Sequence, residues 1–118
     1  MIRFYANENG KLTELDEPRP ACWINITPPF NHAELEKLAN QMDIPLDFLT
    51  DSLDIDERSR YEREEQVRLI VVNTPIVNEV ESEHEGIYVT VPIGIILTLD
   101  NMITITSHAH PVLEMFLE

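Results

Sequence analysis

The chain has 118 residues, of which 43% are hydrophobic and 25% charged, so it suits one globular domain and does not have the composition of a disordered segment. Eight basic residues against 22 acidic ones give a net charge of −14, which argues against nucleic acid and anionic membrane surfaces as partners and favours cations. The single cysteine, Cys22, excludes an internal disulfide and a cysteine metal cluster.

The N-terminal part of the chain predicts three short strands. Asn9 and Gly10 favour a tight hairpin turn between strands at residues 2–5 and 12–15, because both turn residues tolerate a positive φ. After a proline-containing loop, the apolar residues at 22–26 predict the third strand.

Two helices are predicted next. Asn31 followed by Glu34 three residues later is typical of an N-terminal capping box. The first helix has one apolar face, formed by Leu35, Leu38, Ala39 and Met42. Pro45 suits the first turn of a second helix, whose predicted apolar face consists of Leu46, Leu49 and Leu53.

The second half of the chain predicts a β meander and a short helix. Its predicted elements are a buried strand at 66–76, a solvated loop at 78–86, one or two strands at 87–99 with Pro92 at an edge or bulge, a last strand at 102–106, and a helix at 111–116. This order predicts an α/β protein of the α+β kind, with a mixed β-sheet layered with helices. No apolar run is long enough for a membrane-spanning helix, so we expect any membrane part to lie outside these 118 residues.

Acidic residues are concentrated between positions 51 and 65, and oxygen-rich clusters suit hard cations such as Mg²⁺. An EF-hand is excluded, because Arg58 and Ser59 occupy the fifth and sixth loop positions counted from Asp54, where an oxygen ligand and a glycine are needed. The same pattern fits a solvated helix end whose carboxylates pair with nearby arginines. The acidic residues are Asp51, Asp54, Asp56, Glu57, Glu62, Glu64 and Glu65.

The remaining reactive side chains do not predict catalysis. His108 and His110 lack the further ligands of a transition-metal site, and Cys22 beside Trp23 is predicted to be a buried apolar residue and not a nucleophile. The chain has no phosphate-binding glycine loop, nucleophile elbow or zinc-protease motif, so we expect no enzyme. A small hydrolase would require a pocket with convergent carboxylates.

Several segments, in order, resemble the N-terminal cytoplasmic domain of CorA-type magnesium/cobalt transporters. The resemblance spans nearly the whole chain, although each motif alone is weakly specific. The matching segments are Trp23-Ile24-Asn25-Ile26-Thr27, the helix with Glu34-Leu35-Glu36-Lys37-Leu38, Leu49-Thr50-Asp51-Ser52-Leu53 with the arginine-containing turn up to Arg60, the apolar strand at 69–72, Met102-Ile103-Thr104-Ile105-Thr106, and Pro111-Val112-Leu113.

This resemblance implies an α/β/α sandwich in which residues 1–118 form a single cytoplasmic domain, followed in the family by a stalk helix and two membrane helices. It implies a homopentamer at the cytoplasmic face of the cell (inner) membrane, with regulatory Mg²⁺ bound between subunits. Asp51 matches the family's interfacial metal-binding aspartate, with Asp54 as a second candidate ligand; the partner carboxylate comes from a neighbour's stalk helix. The sequence departs from the family pattern at Thr50, where the family has glutamate, and at Ser59, where it has proline.

Two other functions fit the same residues. A zinc-transporting relative would share the fold and differ in the ion carried. A free-standing acidic protein-interaction module would need no membrane part, and it would be favoured if the gene ended near Glu118.

Overall fold

The computed structural model describes residues 1–54, 58–77 and 88–107, with the backbone alone for 75–77 and 88–90. Seven strands and two helices lie in this part of the chain. In order they are β1 (Ile2–Glu8), β2 (Lys11–Leu15), β3 (Trp23–Ile26), α1 (His32–Met42), α2 (Leu46–Asp51), β4 (Arg60–Glu64), β5 (Val67–Val77), β6 (Tyr88–Leu97) and β7 (Met102–Thr106).

The seven strands form one mixed sheet in the order β2-β1-β3-β7-β6-β5-β4. The pairing of β3 with β7 is parallel, and all the other pairings are antiparallel. The predicted mixed sheet and β meander are therefore confirmed. The parallel pair joins the N-terminal strands to the meander, so the two halves of the chain share one sheet.

The β1–β2 hairpin forms as predicted. Asn9 has φ 55° and Gly10 has φ 79°, so both turn residues adopt the left-handed conformation that a tight hairpin requires. The strands pair antiparallel in the register of Phe4 with Leu15 and Glu8 with Lys11.

Helix α1 begins at its predicted cap. The Asn31 side-chain oxygen accepts hydrogen bonds from the backbone N–H groups of Ala33 and Glu34 at 2.9 and 3.3 Å. Asp43 ends the helix with φ 56° and donates its backbone N–H to the carbonyls of Ala39 and Asn40. The helix buries most of its predicted apolar face, namely Leu35, Leu38 and Ala39.

Replacing Asn31 with alanine tests this cap. We expect Asn31→Ala to lower the free energy of unfolding by about 1 kcal/mol, because two N–H groups at the helix start lose their side-chain acceptor. Asn31→Asp keeps an acceptor oxygen and should retain most of the stability. Urea unfolding measures both variants, and equal losses in the two would contradict the capping role.

The predicted apolar face of α2 is incomplete. Leu49 is buried and both Leu46 and Leu53 pack against the core, but the pattern missed Phe48, which is 1% exposed. The helix ends at Asp51 after six residues, so Leu53 reaches the core from the turn after the helix and not by helical spacing. The chain turns there, and Leu53 donates its N–H to the Thr50 carbonyl.

Pro92 lies inside β6, which is one long strand and pairs with β5 along its whole length. Pairing of β6 with β7 begins only at Ile93, so Pro92 stands immediately beyond the end of β7. The predicted edge or bulge is wrong, because β6 lies inside the sheet between β7 and β5 and its register with β5 is continuous through Pro92. Proline is tolerated here because the ladder with β7 has ended, so no N–H is needed on that side.

The main core lies between the sheet and the two helices. It contains alternate residues of the central strands, such as Ile24, Ile26, Ile103 and Ile105, with Phe48 and Leu49 of α2. Both described helices contribute to this one core, and so they form a helix layer on one face of the sheet. The predicted loop at 78–86 and the predicted helix at 111–116 lie outside the described residues.

Trp23 lies outside the main core. It alternates with Ile24 and therefore lies on the other face of the sheet, where its ring is 5.3 Å from that of Tyr5. Its indole N–H donates to the Thr104 hydroxyl at 2.8 Å, and that hydroxyl donates to the Asn25 side-chain oxygen at 2.8 Å. This chain of hydrogen bonds connects the two parallel strands β3 and β7.

Candidate functional site

The end of α2 is held firmly against the sheet. Phe48 and Leu49 are 1% and 0% exposed, and Ser52 at the helix C-terminus is fully buried. The Ser52 hydroxyl donates to the Phe48 carbonyl at 2.8 Å, which satisfies this buried polar group within the last turn. The helix end therefore has little freedom to move relative to the sheet.

A glycine in β6 permits this close approach. A Cβ at Gly94 would lie 2.1 Å from the Ser52 hydroxyl oxygen, 2.5 Å from the Ser52 Cβ and 2.9 Å from a methyl group of Ile105. Such distances are far inside van der Waals contact, so only glycine leaves room for α2 here. The sequence motifs do not point to Gly94, although an isolated glycine within a strand often marks a close approach of another part of the chain.

Asp51, the predicted metal ligand, is the last residue of α2. Its side chain is 42% exposed, and its carboxylate lies 3.1 Å from the Arg60 guanidinium on β4. The backbone of β4 is fixed by pairing with β5, in which Arg60 lies opposite Val71. The candidate site is thus a half-exposed carboxylate at a rigid helix end, with an arginine of the same chain beside it.

Arg60 contacts a second carboxylate. Its guanidinium also lies 3.4 Å from Glu62, two residues along the same strand and on the same side of it. The local arginine pairing predicted for the acidic segment is therefore confirmed at this residue, but residues 60–64 form strand β4 and not the predicted helix end and loop. Arg63 also bonds locally, but with the Glu65 backbone carbonyl at 2.8 Å.

Asp54, the second candidate ligand, lies one turn beyond the helix. It is exposed, and its backbone N–H donates to the Asp51 carbonyl at 3.1 Å. Asp56, Glu57 and the two histidines of His108-Ala109-His110 lie outside the described residues. Within residues 1–54, 58–77 and 88–107, no three His, Cys, Asp or Glu side chains are placed to hold a metal ion together.

The described residues supply only part of a magnesium site. Mg²⁺ prefers oxygen ligands, keeps several of its waters and is commonly bound by one or two carboxylates. Asp51 offers one such carboxylate, exposed enough to reach an ion shared with another molecule. Further ligands would have to come from elsewhere, as the resemblance implies.

A separate cavity of about 750 Å³ lies at the opposite end of α2, beside Pro45. Its walls come from loops that include Arg19, Asp43, Glu65 and Asp100. Its acidic residues are not grouped as metal ligands in the described part of the chain. Cys22 is buried, as the sequence predicts.

Comparison with known proteins identifies the family. The family model described as CorA-like Mg²⁺ transporter protein matches residues 20–118, most of the chain. The chain belongs to the CorA-like Mg²⁺ transporter family. The prediction of a transporter domain instead of an enzyme is thereby confirmed, and the CorA resemblance with it. No functionally curated protein matches the chain at a significant level.

Solved structures share the CorA soluble-domain fold. The chain is similar to the soluble domain of CorA from Methanocaldococcus jannaschii, with a TM-score of 0.78 and 24% identity over 99% of this chain and 44% of that one. Similarity to the complete CorA magnesium transporter of that organism gives a TM-score of 0.76 and 24% identity over 99% of this chain and 35% of that one. The α+β fold class is confirmed by these matches.

A third similar structure is the ZntB cytoplasmic domain from Vibrio parahaemolyticus. Its TM-score is 0.66, with 10% identity over 96% of this chain and 46% of that one. The CorA-like chain thus spans less than half the length of each of these structures. Within its described residues, no helix is long and apolar enough to cross a membrane.

Proposed function

We propose that this chain is the cytoplasmic, metal-sensing domain of a CorA-like transporter for Mg²⁺ and Co²⁺. The observation that carries the proposal is the half-exposed Asp51 carboxylate, held at a rigid helix end in a chain that belongs to a Mg²⁺ transporter family. The sensed ion is Mg²⁺, bound weakly by the domain alone because it supplies few ligands. No organic cofactor is needed.

Sensing follows from charge. Each chain carries −14, so five copies packed in a ring repel one another unless cations lie between them. Asp51 would share Mg²⁺ with a carboxylate of the neighbouring subunit when Mg²⁺ is abundant. When Mg²⁺ is scarce, repulsion between those carboxylates loosens the ring, so the ion stabilises one of two states of the assembly.

The membrane part is proposed to follow this domain in the gene product. The chain covers 35% of the complete CorA transporter to which it is similar, which leaves room for a stalk helix and membrane helices. Sequencing past the codon for Glu118 tests this placement. A long helix followed by two apolar spans supports it, and a stop codon would favour a free-standing acidic interaction module instead.

Replacing Asp51 with asparagine tests the sensing role. In the full-length assembly, Mg²⁺ at ten times its Kd should stabilise the wild type by about 1.4 kcal/mol per bound ion. Asp51→Asn keeps the shape of the side chain and removes its charge, so most of this Mg²⁺-dependent rise in melting temperature should disappear. Melting curves at increasing Mg²⁺ measure the effect.

Glu14→Gln is the matched control. Glu14 is exposed on β2, at the edge of the sheet opposite β4, and its substitution removes one negative charge as Asp51→Asn does. This variant should respond to Mg²⁺ as the wild type does. A normal Mg²⁺ response in Asp51→Asn would remove Asp51 from the proposed site.

A zinc-transporting role is the second candidate. It is favoured by the similarity to the ZntB cytoplasmic domain, although identity is only 10%. Flux of Mg²⁺, Co²⁺ and Zn²⁺ through the full-length protein in vesicles separates the two functions. Flux of Zn²⁺ with no flux of Mg²⁺ or Co²⁺ would replace the first proposal by the second.

A further inference from the structure

We infer that Arg60 is a built-in competitor of the divalent cation for Asp51, and that metal binding is an exchange in which the guanidinium moves fully onto Glu62. The inference rests on the proposed function of Asp51 and adds its regulation. It makes Arg60 a residue that sets the metal concentration at which the site fills.

The geometry places one guanidinium between two carboxylates. Arg60 lies 3.1 Å from Asp51 and 3.4 Å from Glu62, and its side chain is the most sheltered of the three, at 29% exposed against 42% and 47%. A guanidinium carries five N–H donors, so it can bond to both acids or shift between them without leaving its place. Pairing of β4 with β5 holds the Arg60 backbone fixed during such a shift.

Within the described residues, the charge partner of Asp51 is a side-chain cation. Asp51 is the last residue of α2, and backbone N–H groups at a helix C-terminus are already bonded within the helix. Arg60 is therefore the compensating group that the structure provides, and a metal ion that binds the same oxygen must displace it. Glu62 reduces the cost of displacement, because the arginine retains a carboxylate partner after it leaves Asp51.

This arrangement predicts opposite effects for the two neighbours of the site. Loss of Arg60 frees Asp51 and removes a nearby positive charge, so the metal should bind more tightly. When the Glu62 charge is removed, Asp51 is the one of these two acids that still carries a negative charge for Arg60 to pair with. Arg60 should then compete more strongly for Asp51, and the metal should bind more weakly. Exposed ion pairs are weak, and we therefore expect each shift to be about two- to fivefold.

The experiment is a Mg²⁺ titration of the full-length protein. Resistance to limited proteolysis is measured at each Mg²⁺ concentration and reports how much of the site is filled. Arg60→Gln should lower the Mg²⁺ concentration at half-protection about two- to fivefold, and Glu62→Gln should raise it by a similar factor. Arg63→Gln is the matched control, since it removes the same charge from the same strand, and Arg63 bonds instead to the Glu65 carbonyl. Its midpoint should stay close to that of the wild type.

The possible outcomes separate three claims: the sensing role of Asp51, the competition by Arg60 and the transfer of Arg60 to Glu62. Equal midpoints for Arg60→Gln and Arg63→Gln, with Asp51→Asn still unresponsive to Mg²⁺, would overturn the competition while leaving the sensing role of Asp51 intact. Protection that persists in Asp51→Asn would overturn the proposed function and this inference together. A lowered or unchanged midpoint in Glu62→Gln would overturn the transfer of Arg60, even if Arg60→Gln folds poorly, because Glu62 is an exposed residue whose substitution leaves the core intact.

Discussion

Truncating Phe48 to alanine is expected to lower the free energy of unfolding by about 3–5 kcal/mol, a large share of the stability of a domain of this size. Phe48 is 1% exposed and has the largest of the fully buried side chains among the described residues. It belongs to the core cluster that α2 forms with α1 and the central strands. Its loss removes apolar contact and leaves a cavity that neighbouring side chains fill only in part.

Denaturant unfolding of the 118-residue chain measures this loss. Tyr61→Ala is the control, because it also truncates an aromatic ring but at a position that is 60% exposed on β4. Its effect should stay within about 0.5 kcal/mol of zero. Similar losses in the two variants would show that α2 is not anchored through Phe48.

Gly94→Ala is expected to lower the free energy of unfolding by about 1–3 kcal/mol, because the added methyl group overlaps Ser52. The clash falls on the buried C-terminus of α2, at the residue next to Asp51. The variant should therefore displace the candidate ligand as well as destabilise the fold. We expect a weaker Mg²⁺ response in the full-length protein even at temperatures where the variant is folded.

A second substitution identifies the cause of this loss. Two of the short distances from the Gly94 position are to the Ser52 side chain, at 2.1 and 2.5 Å. Ser52→Gly removes those atoms, so the double variant should regain part of the stability lost in Gly94→Ala. Additive losses in the double-mutant cycle would contradict a steric clash between these two residues.

Local signals predict the local parts of the fold correctly. The β1–β2 turn depends on Asn9 and Gly10 alone, and the start of α1 depends on Asn31 and the next few N–H groups. Strand β5 is rich in β-branched residues and lies inside the sheet, as that composition predicts. The turn and the cap are decided by interactions within a few residues, and the strand is indicated by its own composition, so the sequence pattern contains enough information for these features.

The features that the pattern did not predict depend on residues far apart in the chain. The alternation of Trp23 and Ile24 shows that they face opposite sides, but which side becomes the core depends on where α1 and α2 pack. The contact of Ser52 with Gly94 joins residues 42 positions apart, and no local signal pairs them. Short apolar segments such as α2 can be read with more than one apolar face, and packing decides between them.

The candidate site likewise combines a feature that the sequence predicted with features that depend on distant residues. Asp51 was identified by resemblance to a family motif, and the structure places it at the exposed end of α2. Its pairing with Arg60 follows from the position of β4 beside α2 and was predicted only as general arginine pairing in the acidic segment. Ligands contributed by another subunit cannot be predicted from the residues of a single chain.

The most direct test of the sensing role is Mg²⁺ flux through the full-length protein in vesicles, with the Mg²⁺ concentration controlled on the side that this domain faces. We expect flux through the wild type to fall as that concentration rises, and flux through Asp51→Asn to persist. Flux that falls equally in both proteins would contradict a sensing role for Asp51.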